Sequence, residues 1–146
     1  MLFDITKLRV SDTATIHLKG PDKEFLYADA EREKPIRVQL YGPGSKQYAA
    51  IDSRQTARAV KRMNENEGRV VATPPEQRRV DQAADLAAIT IGFENFEYPA
   101  PEGSSYGSPA EMFEALYADP KLGFLTQQVT KACTDWGNFQ AGSKAA

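Results

Sequence analysis

The first part of the chain alternates apolar and polar residues with the period of β-strands. Residues 13–18, "TATIHL", are rich in β-branched side chains and alternate, while residues 19–24, "KGPDKE", have the composition of a turn. Residues 25–29, "FLYAD", have the pattern of a return strand. We therefore predict a β-hairpin over residues 13–29.

A third strand is predicted over residues 34–42, "KPIRVQLYG". Ile36, Val38 and Leu40 fall on one face of it, which is the pattern of a strand with a single buried face. Together with the hairpin, this strand predicts a small N-terminal antiparallel sheet within residues 1–42.

The apolar period then changes to three and four residues. Tyr48 and Ile51 belong to an amphipathic helix predicted over residues 45–64, with Ser45 as its N-cap and Gly68 just beyond its end. This helix follows directly from the third strand.

A second helix is predicted to begin at Thr73, which can cap it while Glu76 reaches back and Pro74 takes the first helical position. Its apolar stripe is broad, which indicates central burial. The stripe holds Val80, Ala83, Ala84, Ala87, Ala88 and Ile91, and it is widened towards the C-terminal end by Leu86, Ile89, Phe93 and Phe96.

Two more helices follow a linker rich in Pro, Gly and Ser, residues 99–107. "SPAE", at Ser108 to Glu111, is a second capping box and opens a short apolar helix with Phe113 and Tyr117. Asp119 and Pro120 open the last one. Its apolar positions are Leu122, Leu125, Val129, Ala132 or Cys133, and Trp136, with Gly137 as the stop.

These patterns predict an α+β fold, mainly α, in which the small N-terminal sheet is followed by about four helices. A chain of 146 residues with 41% hydrophobic residues suits a single domain over residues 1–146. Within it we expect the sheet at 1–42, a helical body at 45–139 and a flexible tail at 140–146.

Composition narrows the expected location and partners. The formal net charge is −2, so a nucleic-acid partner is not expected from the overall charge. No run approaches the length of a membrane span, and the first residues lack the layout of a secretory signal. A single cysteine, Cys133, fits a reducing compartment. We expect a soluble cytoplasmic protein without a membrane partner.

The segment "YGPGSKQY", residues 41–48, has the setting of a phosphate-binding loop but the wrong spacing. Gln47 stands where both the Walker and the dinucleotide patterns need glycine. The glycines are better explained as permissive backbone where a strand turns into a helix.

Catalytic and metal-binding chemistry has equally little support. His17 is the only histidine and Cys133 the only cysteine, so neither a soft-ligand metal site nor a cysteine–histidine pair can be built within the chain. We predict no catalytic, cofactor-binding or metal-binding residues, and therefore a protein that is not an enzyme.

Charge is distributed unevenly. Arg54, Arg58, Lys61 and Arg62 fall on one face of the first predicted helix, whereas residues 81–119 hold eight acids and no Lys or Arg. This basic face is open to three interpretations: a solvated surface, a protein-partner or self-association surface, or a phosphate track. No aromatic residue is interleaved with it, so base stacking is not supported.

The aromatic residues concentrate in the later part of the chain and serve either the core or a partner surface. The candidate partner-binding residues, interface or core, are Leu86, Ile89, Phe93, Phe96, Phe113, Tyr117 and Trp136.

The order of these elements resembles the tail assembly chaperones of long-tailed bacteriophages and prophages, from Phe3 to Phe139. The resemblance is carried by "FDI", "LKGPDKEFL" and "KPIRVQLYGPGSKQY" before the basic helix, and by "AADLAAITIGFENF", "SPAEMFEALYADP" and "LTQQVTKACTDWGNF" after it. Phe93 stands where that family often has Trp, which keeps a large aromatic side chain.

The resemblance implies a non-enzymatic assembly factor of the host cytoplasm that is absent from the mature virion. It would bind the tape-measure protein until tail-tube protein subunits replace it, and no cofactor is implied. Two alternatives stay open: a tail or connector subunit retained in the virion, and a small nucleic-acid-binding regulator that uses the basic face.

Overall fold

The structure, a computed structural model, describes residues 2–69 and 72–140. Its strands are β1 (Thr13–His17), β2 (Arg37–Tyr41) and β3 (Thr90–Glu94), and its α-helices are α1 (Lys46–Glu65), α2 (Pro75–Ile89), α3 (Pro109–Ala118) and α4 (Gly123–Thr134). Short 3-10 helices cover Ile5–Leu8, Pro120–Leu122 and Trp136–Phe139. The predicted α+β class, mainly α, is confirmed. Of the predicted flexible tail, residues 141–146 lie outside the described residues.

The strands form one antiparallel sheet in the order β1-β2-β3. The central strand β2 places Val38 opposite Ile16 of β1 and opposite Phe93 of β3. Val38 and Leu40 are completely buried, as their alternation predicts. The helices cover this apolar face, so β2 lies at the centre of the core.

The sheet is not entirely N-terminal, which corrects the prediction of a sheet within residues 1–42 and a purely helical body after it. The second predicted helix ends at Ile89, and the chain continues as β3. At the end of the helix the Thr90 Oγ1 donates to the Leu86 carbonyl oxygen at 2.8 Å. Thr90, Ile91 and Gly92 disfavour further helix, and pairing with β2 selects the strand.

The predicted hairpin is also modified. The turn is present, with the Gly20 amide donating to the Glu24 carbonyl oxygen at 2.9 Å. The return segment, however, makes only isolated bridges, at Phe25 and Tyr27, and β1 pairs with β2 instead. Within the return segment, the Leu26 amide donates to the carbonyl oxygen of Leu18, the residue that follows β1, at 2.9 Å.

Three predicted helix starts have different outcomes. Ser45 accepts a hydrogen bond from the Tyr48 amide at 3.2 Å, and Ser108 accepts one from the Glu111 amide at 3.4 Å, so both caps are confirmed. Thr73 does not cap α2: the residue before that helix is Pro74, and the Thr73 hydroxyl accepts from Arg62 at 3.3 Å. The Thr73 hydroxyl therefore binds an arginine of α1 and does not cap α2.

The last helix is shorter than predicted at both ends and excludes Trp136. Asp119 and Pro120 open the 3-10 helix Pro120–Leu122 instead of the last α-helix, which begins at Gly123. α4 ends at Thr134, and Asp135 caps the following 3-10 helix by accepting from the Gly137 amide at 3.0 Å. This local hydrogen bond competes with continuation of the helix. The turn directs Phe139 into the core, where it is completely buried.

Candidate partner-binding groove

A groove of about 680 Å³ lies between α1, α2 and α4. Its floor is apolar and consists of Ile51, Leu86, Ile89 and Cys133, all of them buried members of the core. The groove therefore reaches the edge of the core between these three helices.

The position of α1 is set mainly by charged contacts. Among its described side chains only Ile51 is buried, although the helix is 20 residues long. Arg58 donates to Asp85 of α2 at 2.9 Å and lies 3.6 Å from Asp81, and Gln55 donates to Asp85 at 3.1 Å. Arg62 also pairs with Asp81. We call these four charged residues, Arg58, Arg62, Asp81 and Asp85, the arginine–aspartate clamp.

The clamp perturbs the ionisation of its members. Burial raises the pKa of Asp81, but hydrogen bonds from Arg62 and Gln77 and the charge of Arg58 outweigh it, so the pKa is lowered overall. The hydrogen bond to Asp85 raises the pKa of Arg58 against the opposing effect of burial. Both shifts favour the charged forms of Asp81 and Arg58.

The rim of the groove is polar. Arg78 and Arg79 lie near the start of α2, and Gln82 faces Thr130 of α4, with its Nε2 3.3 Å from the threonine hydroxyl oxygen. An apolar floor with a polar and cationic rim suits one face of an amphipathic helix.

Cys133 lies in the floor but offers no reactive thiolate. It is 4% exposed, and burial raises its pKa to about 11. At neutral pH its thiol is protonated, and its Sγ donates to the Thr130 carbonyl oxygen at 3.3 Å.

The structure places the predicted partner-binding residues in three different environments. Leu86 and Ile89 line the floor of the groove while belonging to the core, at 6% and 1% exposure. Trp136 is 56% exposed and lies outside the groove.

The other four form an intramolecular aromatic cluster, Phe93, Phe96, Phe113 and Tyr117. The Phe93 ring centroid lies 4.8 Å from that of Phe96, 5.3 Å from that of Phe113 and 6.0 Å from that of Tyr117. This cluster attaches α3 to β3, and Phe113 and Tyr117 are buried. Phe113 and Tyr117 thus belong to the core, while Phe93 and Phe96 are partly buried and pack against it.

The predicted basic face divides into two pairs. Arg58 and Arg62 face α2 and are held in the clamp, whereas Arg54 and Lys61 are exposed. Half of the expected positive charge is consequently matched by carboxylates within the fold, which leaves little for a phosphate track.

Several groove residues were not identified from the sequence, above all Asp85, Gln82 and Thr130. Asp85 carried a usable signal, because it interrupts the apolar stripe of α2 between Ala84 and Leu86. A charge at such a position is buried only with a partner, and that partner is Arg58.

Residues 2–69 and 72–140 contain no cluster of three or more His, Cys, Asp or Glu side chains that could hold a metal ion. Over the same ranges, no helix has the length and apolar character needed to cross a membrane. Comparison of the chain with protein-family models, with curated proteins and with solved structures found no match.

Proposed function

We propose that this protein is a non-enzymatic phage tail assembly chaperone, which binds the tape-measure protein and helps to recruit tail-tube protein during tail morphogenesis. It acts in the host cytoplasm and is absent from the mature virion. The proposal combines the resemblance in element order with one structural observation, the open groove between α1, α2 and α4.

The groove supports the proposal because it is a concave site between three helices whose lining includes apolar side chains of the core. Ile51, Leu86 and Ile89 provide a floor for side chains spaced along one face of a helix. A long, apolar helical partner exposes such a stripe and aggregates without cover. Shielding the stripe requires no chemistry beyond apolar contact and rim hydrogen bonds.

The rim supports a reversible complex. Arg78 and Arg79 can meet acidic side chains on the flanks of the bound helix, where exposed ion pairs contribute little affinity and are screened by salt. A reversible complex of this kind is what displacement of the chaperone by tail-tube subunits requires.

Filling the groove tests the proposal. Gln82 is exposed at the rim, so Gln82→Trp places a large ring over the floor without disturbing the core. We expect the variant to lose binding to helical tape-measure peptides in calorimetric titrations, with its far-UV spectrum unchanged.

The matched control is Glu114→Trp, at an exposed position on α3 outside the groove. It should bind the peptides like the wild type. Equal binding by both variants would exclude the groove as the site, and no binding by the wild type would contradict the function.

Mass spectrometry of purified virions distinguishes the proposed chaperone from the alternative, a structural subunit that is retained in the virion. A chaperone is absent from the particle, whereas a tail or connector subunit is present in stoichiometric amounts. Stoichiometric presence would overturn the proposed function whatever the peptide titrations show.

A further inference from the structure

The later part of α1, residues 52–65, lies within the described ranges and buries no side chain; we call it the wall segment. Its side chains are exposed except for those of Arg58 and Arg62, which are half-buried. Even its larger apolar side chains, Val60 and Met63, are exposed. Ile51, which is buried, directly precedes the segment. On this helix the hydrophobic core therefore ends at Ile51.

Polar contacts attach the wall segment to α2. Gln55 donates to Asp85 at 3.1 Å. Arg58 donates to Asp85 at 2.9 Å and lies 3.6 Å from Asp81, with which Arg62 also pairs. Partly exposed ion pairs hold two elements together less firmly than buried apolar side chains do. The attachment of the wall segment thus depends on the arginine–aspartate clamp.

A segment attached in this way is expected to open before the rest of the fold. Local openings occur where few apolar side chains are buried, and their free energy lies below that of global unfolding. Isolated helices shorter than about 12–15 residues are marginal in water. The wall segment should therefore lose its helical hydrogen bonds when it leaves α2.

The wall segment also forms one side of the groove. Gln55 and Arg58 line the groove next to the floor residues Leu86 and Ile89, which are only 6% and 1% exposed. We propose that the wall segment is a movable side wall, which detaches from α2 when the clamp breaks, while Ile51 stays in the core, and thereby admits a partner helix. The admission of the partner rests on the proposed function, whereas the opening itself does not.

The clamp then sets the affinity of the site. A partner that binds only the open form has an apparent affinity equal to its intrinsic affinity multiplied by the open fraction. Weakening the clamp raises that fraction. The hydrogen exchange of the wall-segment amides and the affinity for the partner should consequently increase by the same factor.

Native-state amide hydrogen exchange of the full chain measures the opening. Under conditions in which exchange follows the opening equilibrium, the amides of the wall segment should share one protection factor, lower than those of the β2 amides. Protection that falls steadily towards Glu65 would indicate fraying of the helix end and would overturn the proposal. Protection as high as that of β2 would overturn it as well.

Arg62→Gln weakens the clamp without changing the helix itself. It removes the pair with Asp81, and glutamine has nearly the helix propensity of arginine. The protection of the wall segment should fall about tenfold, the scale for a hydrogen bond to a charged group. The matched control is Arg54→Gln, at an exposed position of the same segment outside the clamp, which should leave the protection unchanged. Unchanged protection in Arg62→Gln would show that the clamp does not hold the segment.

A replacement in the core separates local opening from global unfolding. Val129 of α4 is 1% exposed and lies outside the lining of the groove, so Val129→Ala weakens packing that stays intact when the wall segment opens. We expect lower protection of the β2 amides and unchanged protection of the wall segment. A parallel loss in both would mean that the segment opens only with the whole protein, and the proposal would fail.

Peptide binding tests the admission of the partner. Arg62 lies outside the lining of the groove, so a change of affinity in Arg62→Gln reports the opening and not a lost contact. The affinity for helical tape-measure peptides should rise by the factor by which the protection falls, and Arg54→Gln should bind like the wild type. Lower protection with unchanged affinity would overturn the role in admission. Absence of binding in every variant would contradict the proposed function, and the exchange measurements would then decide the opening by themselves.

Discussion

The Phe139 ring lies directly against the Cα of Gly42. A Cβ added to Gly42 would stand 2.5 Å from Cδ1 of that ring, closer than non-bonded carbons approach. Gly42 follows β2, and Phe139 ends the last 3-10 helix. The glycine is therefore needed for space, and its backbone lies outside the left-handed region, which corrects the expectation of a permissive turn.

Gly42→Ala should destabilise the protein by about 1–3 kcal/mol, the range for overpacking a closed site. Phe139 is completely buried and has no room to move aside. Urea denaturation monitored by circular dichroism measures the change. The control is Gly44→Ala, whose added Cβ would meet Trp136 and Val10 at 3.5 Å, an ordinary contact, so its effect should stay within about 0.5 kcal/mol.

The same contact can be isolated by a double-mutant cycle. In a Phe139→Leu background the side chain is smaller, so Gly42→Ala should cost less than in the wild type. Equal costs in both backgrounds would show that the methyl group is unfavourable for a reason other than the ring.

Sequence signals predicted well those features that depend on neighbouring residues. The Ser45 and Ser108 caps each require only an amide three residues on, and both are present. The burial of Val38 and Leu40 follows from alternation alone. Local signals failed at Thr73, where Arg62, eleven residues away, takes the hydroxyl that would have capped α2.

The position of β3 could not be predicted because it depends on a distant strand. The short apolar run from Ile89 to Phe93 fits both helical and strand periods. Its pairing with β2, as between Phe93 and Val38, decides the outcome, and this contact spans more than fifty residues. The interface-or-core question for Phe113 and Tyr117 was decided in the same way, by packing against β3.

The groove was still harder to predict, since it results from the relative placement of three helices. No periodicity within α1 shows that Arg58 reaches Asp85 of α2. Asp85 in the apolar stripe of α2 was the one local sign of this arrangement.

The clamp should make an energetic contribution that depends on both partners. Asp85→Ala leaves the half-buried Arg58 without its main partner, and we expect a loss of about 2–3 kcal/mol, reduced from the fully buried case because the Arg58 side chain is 23% exposed. Chemical denaturation measures the loss. Glu76→Ala, which removes the exposed pair with Arg79, should cost less than about 0.5 kcal/mol.

Replacing both charged residues of the Arg58–Asp85 pair tests whether the loss of stability comes from an unpaired charge. Arg58→Leu with Asp85→Leu leaves no unpaired charge, so the double variant should be more stable than Asp85→Ala alone. A double variant that is less stable would mean that the pair also has a positioning role that apolar contacts do not replace.

The clamp should also weaken in acid. The pKa of Asp81 is lowered in the folded state, so its charge stabilises the fold above its ordinary pKa of 3.8, and this stabilisation is lost as the pH falls through the folded value. At neutral pH Asp81→Asn should therefore be less stable than the wild type, by about 1–2 kcal/mol. The difference should shrink below pH 3.8. Denaturation series from pH 7 to pH 2.5 test this, and a constant difference would contradict it.

Thr90 and Tyr117 form a buried hydroxyl pair whose two members should respond unequally to replacement. Thr90 donates to the Leu86 carbonyl oxygen, so in the 2.7 Å contact between the hydroxyls Tyr117 is the donor. Thr90→Val removes the acceptor and leaves the Tyr117 hydroxyl buried without a partner, at a cost of about 1–3 kcal/mol. Tyr117→Phe leaves the Thr90 hydroxyl still bonded to Leu86, so it should cost only about 1 kcal/mol.

The order of these two costs, measured by urea denaturation, is the decisive quantity. Valine matches the shape of threonine, so a larger loss in Thr90→Val cannot come from a cavity and must come from the stranded hydroxyl. The double variant removes both polar groups and should therefore be more stable than Thr90→Val alone. The reverse order would assign the donor role in the hydroxyl pair to Thr90, and the Leu86 carbonyl oxygen would then lack the Thr90 hydroxyl as a donor.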